Sequence, residues 1–150
     1  MVYTIVFDNK LLEEYTTEYF IKYPRRHKPP LKSPLHPSIN TWFIMKRPQM
    51  NGLKQTWSEF TEWIVEKHGL TNLHIQKANI TFTYFFKTKA RHDADNLSPK
   101  FVMDGFSLCG LIEDDDFSHI KTLTINSGGH DKEDPRMIVT IETLEGNAND

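Results

Sequence analysis

Residues 80–90 read ITFTYFFKTKA, and their alternation constrains the fold of this chain more than any other feature. Ile80, Phe82, Tyr84 and Phe86 recur at a period of two, which puts them on one face of an extended strand. β-Branched and aromatic residues suit such a pleated, half-buried surface. A strand with one strongly apolar face needs a second layer to cover it. Helical spacing provides that layer: Leu12, Tyr15, Tyr19 and Tyr23 recur over residues 11–23, and Leu53, Trp57, Phe60 and Ile64 recur before Gly69. A third helix is expected with Ser98 as N-cap, Pro99 as first helical residue and Gly110 as stop. Residues 2–7, 39–45, 120–126 and 137–142 read as further strands, with Ser127-Gly128-Gly129 opening the long turn between the last two. The expected order is β-α-β-α-β-α-β-β, a two-layer α+β domain with helices packed on one face of a mixed sheet.

At 150 residues the chain is expected to form one domain, with a frayed tail at 146–150. No apolar run reaches the roughly 20 residues a membrane span needs. The first ten residues lack the basic and apolar regions of a secretory signal. Cys109 stands alone, which rules out an internal disulfide and suits a reducing cytoplasm. Its flanks, Leu108 and Gly110, place it at the packed end of a helix rather than in a catalytic role.

The net charge of −2 hides a strong segregation. Residues 22–100 carry 14 Lys and Arg against 5 Asp and Glu, whereas residues 101–150 carry 3 against 11. A basic middle is the electrostatic footprint of a polyanion, although charge blocks are also ordinary solvated surface. Within it, residues 24–37 hold five of the eight prolines plus Arg25, Arg26, Lys28 and Lys32. This stretch cannot sustain a helix and reads as a basic connector, either an arm over a phosphate backbone or a plain linker. Lys87, Lys89 and Arg91 close the aromatic strand and extend the cationic surface.

Directly after them comes HDADN. In an extended segment Asp93 and Asp95 share a face, and their mutual repulsion is relieved by a cation. Downstream lie Lys100 and Asp104, one helical turn apart, and then the run Glu113-Asp114-Asp115-Asp116. Oxygen-only ligands suit Mg²⁺ or Mn²⁺ rather than zinc. An EF-hand is excluded, because its sixth position would be Ser98 instead of Gly and its twelfth Asp104 instead of Glu. From spacing alone, a metal site and a simple turn beside a solvated acidic loop both remain open.

The run DADNLSPKFVMDGFSLCGLIEDDDFSHI resembles the signature of the RusA family of Holliday-junction resolvases. That pattern is Asp-x-Asp-Asn, a lysine, an Asp one helical turn on, and an Asp-Asp pair after the helix. Asp93, Asp95, Asn96, Lys100, Asp104 and Asp114 with Asp115 fill it here. Ser98-Pro99 reads as a one-residue insertion before the helix, and the PSINTW segment resembles an early strand of the family more weakly. The likeness covers roughly residues 80–142, and residues 1–37 form a divergent N-terminal extension.

The resemblance implies a RusA-like fold and a crossover junction endodeoxyribonuclease, a phosphodiester hydrolase of bacterial, phage or prophage type that works in recombination and repair. It implies Mg²⁺, with Mn²⁺ as a substitute, held by Asp93, Asp95 and Asp115 with Asp104 nearby. Lys100 would act on the scissile phosphate, with Asn96 orienting the turn and Asp114 supporting. Which of Asp114, Asp115 and Asp116 coordinates stays open. Branched DNA is the implied partner, and paired symmetric nicks imply a homodimer. A broader flap nuclease, and a branched-DNA-binding protein with a structural cation, remain as alternatives.

Overall fold

The computed structural model describes residues 1–145, so the expected frayed tail lies outside the described residues. The chain runs β1 (Val2–Asp8), α1 (Asn9–Lys22), α2 (Ile39–Phe43), α3 (Arg47–Lys67), β2 (Ala78–Phe86), α4 (Lys100–Leu108), β3 (Ile120–His130) and β4 (Arg136–Thr143). A single 3₁₀ turn, Ala94–Asn96, precedes α4. The four strands form one mixed sheet in the order β1-β4-β2-β3. β4 is antiparallel to both β1 and β2, whereas β2 and β3 are parallel and therefore need a crossover, which contains α4.

The alternation on β2 holds. Ala78, Ile80, Phe82 and Tyr84 are fully buried, and their cross-strand neighbours Ile141, Val139 and Met137 are too. Trp57, Phe60, Ile64 and Val65 of α3, Leu12 and Tyr15 of α1, and Phe101, Val102 and Phe106 of α4 complete the core. The opposite face is polar, with a row of threonines, Thr4, Thr140, Thr81 and Thr124, running across all four strands. The result is a two-layer α+β domain. Among the described residues no helix is long and apolar enough to cross a membrane.

Two contacts fix the helices that carry the site. A Cβ on Gly105 would lie 2.7 Å from Thr61 Cβ, so α4 packs against α3 at a distance only glycine permits. Gly110, at φ +75, ends α4 in the left-handed region, as a glycine just past a helix should. Cys109 is buried beside it, and burial pushes its thiol pKa up, in keeping with a packing role.

Several expectations change. Residues 39–43 form a helix instead of a strand. Thr41 and Trp42 N–H groups bond to Ser38 O, which closes the helical turns, and Phe43 is left 75% exposed. α4 starts at Lys100, so Pro99 takes the N-cap position and Ser98 caps nothing. Ser127-Gly128-Gly129 lies inside β3 rather than opening a turn, because a Cβ on Gly128 would meet the Phe85 ring at 2.5 Å. β3 and β4 form no hairpin, since β2 separates them.

The proline-rich connector is packed, not loose. Leu31 and His36 are buried. His36 Nδ1–H donates to Pro37 O at 3.0 Å, and its Nε2 accepts from the Tyr84 hydroxyl in the middle of the sheet. Burial lowers the His36 pKa to about 4 and raises that of Tyr84.

Candidate active site

α4 and the turn after it bring Asp104 and Asp115 within electrostatic reach of each other. Asp104, on the second turn of α4, is mostly buried, and its Oδ2 receives no hydrogen bond. Two ammonium groups stand off from that oxygen: Lys100 Nζ at 3.9 Å from the preceding turn, and Lys54 Nζ at 3.5 Å from α3. The α3–α4 contact at Thr61 and Gly105 sets the second distance. Sequence reasoning left Lys54 out of the site, because it lies 50 positions upstream and reads as surface on an amphipathic helix.

Asp115 closes the group. Its pKa is raised, first by burial, then by a hydrogen bond with Asp114 and by the negative charge of Asp104. Asp114 Oδ1 accepts from the Asp115 N–H at 2.7 Å. Asp116 plays a different part. Its carboxylate accepts from Ser118 N–H and hydroxyl and stays below the usual carboxylate range, so it caps the turn into β3. Of the acidic run, Asp115 is therefore the residue whose charge is least compensated. It lines a cleft of about 380 Å³ with Lys100, Met103, Leu123 and Phe117, which is 86% exposed at the rim.

Asp93 and Asp95 do not share an extended face. Asn96 N–H bonds to Asp93 O at 3.0 Å, and the 3₁₀ turn this creates removes the period of two. Asp93 instead accepts from Arg91 Nε at 3.0 Å, and both aspartates are exposed. Asn96 Oδ1 accepts from Asn40 N–H at 3.0 Å, tying the turn to α2. Among the described residues, no three His, Cys, Asp or Glu side chains lie close enough together to hold a metal ion. The donor chemistry is that of a hard cation: every candidate ligand is a carboxylate, and Asp115 is under-compensated beside Asp104, whose Oδ2 is held by two lysines at ion-pair distance without a hydrogen bond.

The basic residues fall on separate surfaces. Arg26 and Lys28 line a groove with Tyr19, Thr56 and Glu59, and Lys32 lies near Asn9 and Thr16. Arg25 is exposed, while Arg26 bonds to the Tyr19 hydroxyl at 2.6 Å and covers the Tyr23 ring at 4.1 Å. Lys87, Lys89 and Arg91 are exposed on the segment between β2 and the 3₁₀ turn. No protein-family model matches the chain, and no curated protein matches it.

Proposed function

We propose that the chain is a Mg²⁺-dependent endonuclease that resolves four-way DNA junctions by paired symmetric nicks as a homodimer. The mostly buried Asp104 carboxylate, ion-paired with Lys54 and Lys100 and within electrostatic reach of Asp115, is the observation that carries this reading. Asp104 and Asp115 are the residues that would hold the ion, and Asp93 and Asp95, which the resemblance adds, would have to turn in from the 3₁₀ segment to join them. When bound, Mg²⁺ supplies charge that activates water and offsets the charge building on the phosphate.

The chain's own groups do the rest. Lys100, at the wall of the Asp115 cleft, and Lys54, paired with the same Asp104 oxygen, would offer point charges to an approaching phosphate and to the negative charge that develops on it. Asn96, accepting from Asn40 N–H, holds the turn that carries Asp93 and Asp95 against α2. The exposed cations at Lys87, Lys89 and Arg91 attract the strand, and two copies related by a two-fold axis provide two equivalent cuts.

The test is cleavage of junction, flap and duplex DNA side by side, with and without Mg²⁺, by the wild type and by Asp104→Asn and Asp115→Asn. Junction cutting that needs Mg²⁺ and drops by orders of magnitude in both variants is the expected result. Junction binding without cutting makes the protein a binding module, and equal cutting of flaps makes it a broader nuclease.

A further inference from the structure

The crevice at the carboxyl ends of the parallel pair β2 and β3 offers chemistry different from that of the carboxylate cleft. It holds about 370 Å³ and is walled by Phe86, Lys89, His92, Asn126, Ser127 and His130, among others. The ends of parallel strands are where open sheets bind ligands.

One wall is the end of a column of rings. Phe82, Tyr84 and Phe86 follow one another along β2, with centroids 6.3 and 6.0 Å apart and planes within 22°. His92 returns after the loop to lie over Phe86, its centroid 3.8 Å away and its plane 6° off. The imidazole is thereby held flat although the residue is exposed. Among the described residues no second ring covers its other face.

The guest that suits these walls is planar, polar at its edge and attached to an anion. A flat aromatic guest continues the column on His92. Asn126 and Ser127 offer hydrogen bonds to its edge, and Lys89 offers charge to a phosphate. An aliphatic guest would strip water from Asn126 and Ser127 without replacing its hydrogen bonds.

We propose that this crevice receives one unpaired base of the bound DNA strand, stacked on His92 with its phosphate toward Lys89. The proposal rests on the DNA reading above and extends it to how the strand is registered. His92, Ala94 and Leu97 all border the crevice, so a base held there sits beside the turn that carries Asp93 and Asp95. Closed duplex must first break its own stacking to fill it, whereas a branch point offers bases at lower cost. The crevice therefore favours opened DNA.

The experiment uses a short single-stranded oligonucleotide carrying one 2-aminopurine, whose fluorescence falls when it stacks, titrated in Ca²⁺ to suppress cutting. Wild type should quench the probe. His92→Ala should bind about tenfold more weakly and lose the quench, while His92→Phe, which keeps a ring face, should retain both. Because His92 is exposed, an unchanged thermal midpoint in His92→Ala verifies that its fold is intact. Asp115→Asn should still quench, which separates base capture from catalysis. Equal affinity and quench in wild type and His92→Ala overturn the base site and leave the nuclease reading standing. Failure of the wild type to bind any DNA overturns both.

Discussion

Lowering the pH from 7 to 4 should remove the stabilisation that a neutral His36 gives this fold. The ring is 4% exposed, donates through Nδ1 to Pro37 O, and accepts the Tyr84 hydroxyl at Nε2. Protonation would put a charge where water cannot reach it and a second N–H where an acceptor is needed. Burial accordingly depresses the pKa from 6.5 to about 4. Each tenfold change in proton affinity is worth about 1.4 kcal/mol, so the depression corresponds to about 3 kcal/mol. The unfolded chain binds the proton more readily than the native one. The stabilisation is therefore complete above about pH 6.5, declines as the pH falls toward 4, and is gone below that. Against a total stability of roughly 5–15 kcal/mol, this is a large part. The assay is urea unfolding at a series of pH values for the wild type and His36→Gln. Gln keeps a polar partner for Tyr84 but does not titrate, so subtracting the two curves cancels the carboxylates. The gap between the proteins should narrow by about 3 kcal/mol from pH 7 to pH 4. A gap that does not change with pH refutes the reasoning.

Four further outcomes are expected. Lys100→Ala should slow junction cleavage by orders of magnitude while leaving affinity nearly intact, because its charge matters most in the transition state; wild-type kcat would remove it from the site. Asp115→Asn should make the metal-free protein somewhat more stable to heat, since it removes a carboxylate that burial and Asp104 hold in an unfavourable charged state; a lower thermal midpoint would contradict this. Gly105→Ala should destabilise the domain by about 1–3 kcal/mol, because the new methyl meets Thr61; Thr61→Ala should recover only part, as the Thr61 Cβ at 2.7 Å remains, and a neutral Gly105→Ala would deny the close α3–α4 contact. Replacing Arg25, Lys28 and Lys32 with Gln should lower the slope of log affinity against log salt by about one for each phosphate no longer neutralised; an unchanged slope would make the connector a strap alone.

The central strand and the three longer helices were legible in the sequence, because each writes its buried face as a period. Ile80, Phe82 and Tyr84 alternate, and Trp57, Phe60 and Ile64 step by turns, whatever the rest of the chain does. Residues 39–43 were not legible. Their mix of apolar residues suits a strand or a helical turn equally, and the helix that forms packs Trp42 against Phe101 of α4, a contact with a residue far along the chain. Likewise, Ser127-Gly128-Gly129 carries turn chemistry locally, yet the Phe85 ring on the neighbouring strand needs the missing Cβ of Gly128 and draws the segment into β3.

The candidate site divides in the same way. Lys100 and Asp104 were readable as a pair, since helical spacing alone puts i and i+4 side by side, and their 3.9 Å separation follows from it. The common face assigned to Asp93 and Asp95 depended on an extended backbone, and the 3₁₀ turn removed it. Lys54 and Asp115 come from α3 and from the turn before β3, and no local pattern ties either to Asp104. Sequence periodicity specifies which face of each element is buried, because burial is a property of the element itself. Which charges meet is decided by how faces from distant elements dock. Here that is the closeness of α3 and α4 at Gly105, an interaction between residues 44 positions apart that only the assembled fold contains.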